Sequence, residues 1–242
     1  MSPRSTTVEK PLPAIQSVER AARLLALFTV DRPELTLTDV TERSGLSKAT
    51  AHRYATALLG AGLLRLHGGV YTLGPRIVEL ASAALEGLAV VRVAGPYLDR
   101  LVAETGETAV LSVWDGEAPV VVRTQDNTSR LVRIVVATGS RLPPDSAQGQ
   151  VFRAFLDRDG STPELERVRE LRMAENAAVV DGIAALAAPV FQGAEIAATL
   201  ALVGTIASIE TDPGAPMARA LREAAETLST ELGFVEPERR EP

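Results

Sequence analysis

At 242 residues and 46% apolar composition the chain has room for one large domain or two medium ones with real cores. It holds no cysteine, which excludes disulfides and thiolate metal sites and suits a reducing cytoplasm. The net charge of −6 is uneven: residues 1–75 carry nine Lys or Arg against six Asp or Glu, a net of +3, which leaves −9 for residues 76–242. A mildly basic head on an acidic body suits a protein that neutralises phosphates with one end only.

The opening MSPRSTTVEKPLP lacks the apolar core of a secretory signal and reads as a disordered arm over residues 1–13. No run approaches the ~20 apolar residues that a bilayer span requires, so no membrane partner is expected. SVERAARLLALF, residues 17–28, has Val18, Ala21, Ala22, Leu25 and Phe28 at helical spacing, with Ser17 as the expected cap.

Residues 36–74, TLTDVTERSGLSKATAHRYATALLGAGLLRLHGGVYTLG, then pack two short helices and a hairpin into about forty positions, the order of a winged helix-turn-helix. Thr38 is the expected cap of the first helix and Gly45 its turn. Ser47 is the expected cap of the second, whose Ala51, Tyr54, Ala55 and Leu58 form one buried face. The opposite face carries Lys48, His52, Arg53 and Thr56, with Ser47 and Thr50 near the N-terminus, where a recognition helix meets base edges and phosphates. Residues 63–66 and 70–73 flank His67-Gly68-Gly69 as a hairpin wing, and His67 joins the candidate DNA-binding set. These residues point to double-stranded DNA as a partner.

Gly74-Pro75 stops the hairpin, and an Ala-rich amphipathic helix follows over residues 76–88 with Ile77, Leu80, Ala81, Ala84 and Leu85 on one side. A further helix is expected over residues 91–105, disturbed at Pro96, with Tyr97, Leu101 and Val102 inward. From Glu107 the period changes to two: TAVLSVWDG, APVVVRTQ and RLVRIVVAT read as three neighbouring strands. Helical patterning returns over residues 146–156 and 162–173, AALAAPVF and EIAATLALVG give two more strands, and residues 213–232 close as an amphipathic helix. The pattern predicts an α+β domain with an antiparallel sheet covered by helices, a shell suited to a small ligand.

Catalytic signatures are absent. Neither His52 nor His67 has a carboxylate or thiol at metal-ligand spacing, and no G-x-S-x-G, G-x-G-x-x-G or P-loop pattern occurs, so neither a metal, a cofactor nor an enzymatic activity is expected. The acid pairs Glu104 with Glu107 and Asp157 with Asp159 read as solvated charge at helix ends or in loops. Trp114, the only tryptophan, stands at a strand end before Asp115-Gly116.

The segments SVERAARLLALF, GLSKATAHRYATALLGAGLL, YTLGPRIVELA, LVAETGETAVLSV, GSRLPPDSAQGQVFRAFL and AALAAPVF, in this order, resemble the IclR family of bacterial transcriptional regulators along nearly the whole chain. The resemblance implies a winged helix-turn-helix domain (residues 14–74), a linker helix (75–89), a GAF-like antiparallel-sheet effector domain (90–235) and a tail (236–242). It also implies a homodimer, or a dimer of dimers, on a palindromic or repeated operator. Effector contacts carried over by position are Leu131, Ile134, Ala147, Gln148, Glu175, Ala201 and Val203.

The chain departs from the family at several of these places. Pro144-Asp145 stands where a His and small residues are common, Gln150 where a lysine is frequent, and Ala201 and Val203 where the last strand is usually polar. Between Leu156 and Glu164 it is also shorter than usual. A more apolar pocket follows, with the backbone N–H groups at the helix start after Ser146 left to receive a carboxylate. An apolar or aromatic carboxylate is the expected effector, with sugar-derived acids or lactones as the alternative. The competing functional reading is an enzyme or small-molecule carrier that lost DNA binding; the intact Lys48, Thr50 and Arg53 argue against it.

Overall fold

In a computed structural model, which describes residues 15–128, 134–157, 162–177 and 180–234, the opening apolar run forms α1 (Gln16–Leu25). Ile15 stands at its N-cap without a side-chain bond, so Ser17 lies inside the helix rather than capping it. The inward stripe is Ala21, Leu24, Leu25 and Phe28, whereas Val18 and Ala22 face solvent. Leu24 has more apolar area to bury than Val18 or Ala22, and it sets the rotation of the helix.

A short strand, β1 (Glu34–Thr36), precedes α2 (Leu37–Ser44). The cap of α2 is Thr36, not Thr38. Thr36 Oγ1 accepts the Asp39 N–H (3.2 Å) while the Asp39 carboxylate accepts the Thr36 N–H (2.8 Å), a reciprocal capping box. Thr38 has Thr41 rather than an acid three residues on and cannot close that ring. Gly45, at φ 65°, ends α2 in the left-handed region that glycine adopts without strain.

Helix α3 (Lys48–Gly60) starts at Ser47 and buries Ala51, Ala55 and Leu58 against Leu24, Phe28, Leu35, Val40, Leu64 and Tyr71. Strands β2 (Leu64–His67) and β3 (Val70–Leu73) join through Gly68-Gly69, both at positive φ, the twist of a two-residue hairpin turn. β3 is central, pairing antiparallel with β1 and β2. Helix α4 (Pro75–Gly87) follows and has no buried residue. By contacts the described chain divides after Ala81 into two units.

The second unit begins with two helices where one was expected, α5 (Ala89–Val93) and α6 (Gly95–Thr105). Pro96 falls in the first turn of α6, where its missing N–H has no helical partner to lose, so it starts a helix instead of disturbing one. Leu98 and Leu101 are fully buried, Tyr97 and Val102 half-buried.

Strands β4 (Thr108–Trp114) and β5 (Pro119–Gln125) follow as a hairpin. Of the third expected strand only the end falls among the described residues, and there residues 134–137 have no regular structure. The edge of β5 is instead closed by backbone bonds from Gly139 to Val121, from Val121 to Ser140 and from Leu142 to Pro119.

Next come α7 (Ala147–Leu156), α8 (Pro163–Leu171), a short strand β6 (Ala174–Asn176) absent from the sequence reading, β7 (Ile183–Gln192), β8 (Glu195–Thr205) and α9 (Pro216–Glu231). The sheet order is β5-β4-β8-β7-β6, antiparallel throughout. Along each strand alternate residues serve opposite faces. Ala109, Leu111, Leu186, Leu200 and Leu202 pack with Leu98, Leu101, Leu221 and Leu228 of α6 and α9. Val110, Ala187, Ala201 and Val203 pack with Ala147, Val151, Leu165 and Val168 of α7 and α8.

Glu104 is exposed and pairs with Arg100 at 3.0 Å, as solvated charge does. Glu107 differs from expectation: it is 6% exposed, and its carboxylate lies so close to Gly204 that a side chain there would strike it. Asp157 is exposed, and Asp159 lies outside the described residues.

Candidate functional site

Two groups of residues were singled out in the sequence, one in each unit. In the first, the Ser47 hydroxyl accepts the Thr50 N–H (3.3 Å) and lies 2.9 Å from the Thr50 hydroxyl. Both side chains are thereby held at the start of α3. Lys48, His52, Arg53 and Thr56 are exposed, and the cations form no ion pair among the described residues; the Arg53 guanidinium rests 5.9 Å over the Tyr54 ring. Their spacing of four, one and three residues gathers them on one side of the helix, opposite Ala51, Ala55 and Leu58.

On the wing, His67 is exposed beside the glycine turn. Arg65, two residues earlier on the same side of β2, is exposed as well and was not singled out in the sequence. The alternation of LRLH around buried Leu64 was the signal that would have found it.

In the second unit the candidate residues gather around the start of α7. Ser146 caps the helix: its hydroxyl accepts the Gly149 N–H (3.1 Å) and its carbonyl accepts the Gln150 N–H (2.9 Å). The N–H groups of Ala147 and Gln148 make no hydrogen bond among the described residues, although both residues are buried. They are the unmatched donors of a helix N-terminus, aligned with the positive end of its dipole.

Gly149 permits this start, since a Cβ there would sit 2.6 Å from the Pro144 carbonyl carbon and 2.9 Å from the Pro143 oxygen. Arg141 anchors the preceding loop by hydrogen bonds to Asp115 (2.8 Å) and Glu117 (2.7 Å) on the β4–β5 turn. Burial works against ionisation of Asp115, but Arg141 and the N–H groups of Ala118 and Glu117 outweigh it and lower its pKa.

Ala201 and Val203 lie on the sheet face under α7, in the cluster that includes Ala147, and Ile134 packs against that cluster. The Ile134 carbonyl accepts the Thr108 hydroxyl (2.5 Å), and the Val136 carbonyl accepts that of Thr124 (2.9 Å), which pins residues 134–136 beside the sheet. Leu131 lies outside the described residues.

Glu175 is not brought to this group. In β6 it pairs with Leu186, which serves the α9 face, while Ala174 pairs with Ala187 on the α7 face. Glu175 is exposed and lines, with Gln150, Glu164 and Arg167, a cavity of about 190 Å³. A larger cavity of about 710 Å³ lies at the other end of α7, between Ala154, Phe155, Phe191 and Ile196; there Arg169 donates to the Ala154 and Asp157 carbonyls that end the helix. Trp114 packs its ring on Phe152 of α7, with centroids 5.3 Å apart.

Among the described residues no cluster of His, Cys, Asp or Glu has the arrangement of a metal site, and no helix is long and apolar enough to cross a membrane.

Comparison with known proteins finds the IclR helix-turn-helix domain at residues 17–68 and the bacterial transcriptional regulator IclR C-terminal domain at residues 82–178, together more than half of the chain. The HTH-type transcriptional regulator XynR of Escherichia coli (strain K12) is 34% identical over 155 residues, 60% of this chain and 58% of XynR. The matches thus span less than two thirds of the first curated relatives.

An IclR transcriptional regulator from Alicyclobacillus acidocaldarius has the same fold at a TM-score of 0.75 and 27% identity, covering 91% of this chain and 100% of that one. An IclR homologue from Microbacterium hydrocarbonoxydans, solved in complex with 4-hydroxybenzoate, superposes at a TM-score of 0.68 and 23% identity over 90% of this chain and 99% of that one.

Proposed function

This chain belongs to the IclR family of bacterial transcriptional regulators, and on that premise we propose that it binds a repeated or palindromic DNA operator through α3 and the wing, and that a small carboxylate effector controls the binding. The observation that carries the DNA reading is the exposed side of α3, where Lys48, His52, Arg53 and Thr56 make no ion pair among the described residues, on a helix that Ser47 caps. Such a face offers bidentate donors to guanine and charge to phosphate in a major groove. Arg65 and His67 extend the same chemistry onto the wing.

The relatives it matches are transcriptional regulators, and no residue is assigned a catalytic role. The effector reading is supported by the start of α7, where the unmatched N–H groups of Ala147 and Gln148 suit an anion, while Ala201, Val203 and Ile134 supply apolar surroundings. This combination favours an apolar or aromatic carboxylate over a two- or three-carbon acid. The same fold holds 4-hydroxybenzoate in the Microbacterium protein.

A second copy of the chain completes the unit. α4 buries none of its residues, and its Val78 and Leu80 are 66% and 55% exposed, an apolar surface that a partner would cover. Effector occupancy that favours one arrangement of the paired DNA-binding units by about 1–3 kcal/mol changes operator affinity by roughly five- to 150-fold.

The test selects DNA from a random-sequence pool and measures binding of the selected fragment with and without aromatic acids. Enrichment of two related half-sites, with affinity shifted by an acid, is the expected result. No enriched sequence at low salt overturns the DNA reading. Separately, an acid at 100 times its dissociation constant should stabilise the fold by about 2.7 kcal/mol in a thermal shift, and no shift from any aromatic acid overturns the effector reading.

A further inference from the structure

The sheet face under α7 is ordered by register. Val110 pairs with Ala201 and Ser112 with Thr199, and residues two apart on a strand share a face, so both hydroxyls lie on the side that packs against Ala147, Val151 and Ala154. The next residue of β4 on that face, Trp114, packs on Phe152 of α7. Ser112 and Thr199 therefore sit opposite one another beneath the helix. Both are fully buried, and neither the Ser112 Oγ nor the Thr199 Oγ1 has a hydrogen-bond partner among the described residues.

Folded proteins leave few buried polar groups unpaired, because a hydroxyl removed from water without a partner opposes folding. Two such hydroxyls on facing strands have no structural explanation in their neighbours. Their position relates them to the start of α7. The other end of α7 lies at the β7–β8 turn, where the Phe155 ring meets the Phe191 ring edge-on at 5.1 Å. From that turn β8 runs under α7 through Thr199, Ala201 and Val203, the last two in the cluster that holds Ala147 of the helix's first turn. The face under α7 thus carries a pair of orphan hydroxyls and apolar Val110, Ala201 and Val203, the last three in one cluster with Ala147, whose N–H and that of Gln148 are unmatched.

We propose that Ser112 and Thr199 are specificity residues of the effector site, pairing with a hydroxyl on the end of the effector remote from its carboxylate. The inference rests on the carboxylate reading above and narrows it to a hydroxylated aromatic acid. Ala147, Ala187 and Ala201 are fully buried, so a ligand seated between these polar ends moves α7 away from the sheet.

Calorimetric titration of the full chain with 4-hydroxybenzoate and with benzoate tests this, in the wild type and in the Ser112→Ala/Thr199→Val double variant. The wild type is expected to prefer the hydroxylated acid by about tenfold or more, and the double variant to lose that preference. Its melting temperature without ligand should be equal to or above that of the wild type, because two orphan hydroxyls are gone; a hydroxyl pair with a merely structural role would lower it.

Equal binding of the two acids by the wild type, or a preference that survives the double substitution, overturns the inference and leaves the carboxylate reading standing. Binding of neither acid overturns the inference, and the carboxylate reading then stands or falls by the wider screen of acids. Should the double variant not fold, Thr199→Val alone supplies the comparison, with Thr199→Ser expected to keep the preference.

Discussion

Gly149→Ala isolates the local geometry on which the α7 site depends. In an ordinary helix the exchange stabilises by about 0.5–1 kcal/mol, because alanine loses less backbone entropy than glycine. Here the new Cβ would lie 2.6 Å from the Pro144 carbonyl carbon and 2.9 Å from the Pro143 oxygen, and both are backbone atoms in the loop that Arg141 ties down. A clash with backbone that cannot rotate away belongs at the upper end of the usual overpacking penalty, about 3 kcal/mol.

The net effect is a loss of about 2 kcal/mol, which for a unit of this size lowers the unfolding midpoint by about 4–8 °C. Trp114, the only tryptophan, packs against Phe152 of α7, so its fluorescence on heating follows the second unit selectively. Opposite signs make the outcome decisive. A midpoint that rises would show that the α7 start has room to spare, and that the close approach of Gly149 to residues 143–144 does not constrain the site.

Arg53→Ala should weaken operator binding by about 1–3 kcal/mol and relax preference at one base pair if the guanidinium reads guanine; a loss uniform across sequences assigns it to phosphate, and unchanged binding in a gel-shift titration at fixed salt removes it from the interface. Light scattering at micromolar protein should show no monomer, and Val78→Asp with Leu80→Asp should produce one; a wild-type monomer that binds a full repeated operator tightly would contradict pairing through α4. The lowered pKa of Asp115 makes its folded form more acidic than the unfolded chain, so its contribution to stability is complete above the unfolded pKa and is lost as pH falls through the folded one. Acid unfolding followed by Trp114 fluorescence should therefore begin at higher pH in Asp115→Asn, and coincident curves would show that the Arg141 link does not hold the loop.

What could be read from the chain alone was whatever neighbouring residues decide among themselves. The recognition helix is legible because Ser47, the Ala51-Ala55-Leu58 stripe and Gly45 act within one or two turns, and the wing because Gly68-Gly69 sets its own twist. Two local choices needed finer reading. Thr36 takes the cap from Thr38 because Asp39 completes a ring with it, and Pro96 opens a helix because its position in the first turn spares a hydrogen bond.

Placement across the sheet was not legible. The run RLVRIVVAT has strand composition, yet residues 134–137 form no strand, and residues 139–142 close the β5 edge by a few backbone bonds. Glu175 stands near Ala201 in any list of candidate residues, but the register of β6 turns it to the opposite face, while Ser112 and Thr199, two hydroxyls in apolar runs, are placed side by side by the pairing of β4 with β8. A strand's own residues decide only that alternate side chains part company. Which face is buried, and beside whom, is decided by partners distant in sequence, because a shift of one residue in register exchanges every side chain between the two faces.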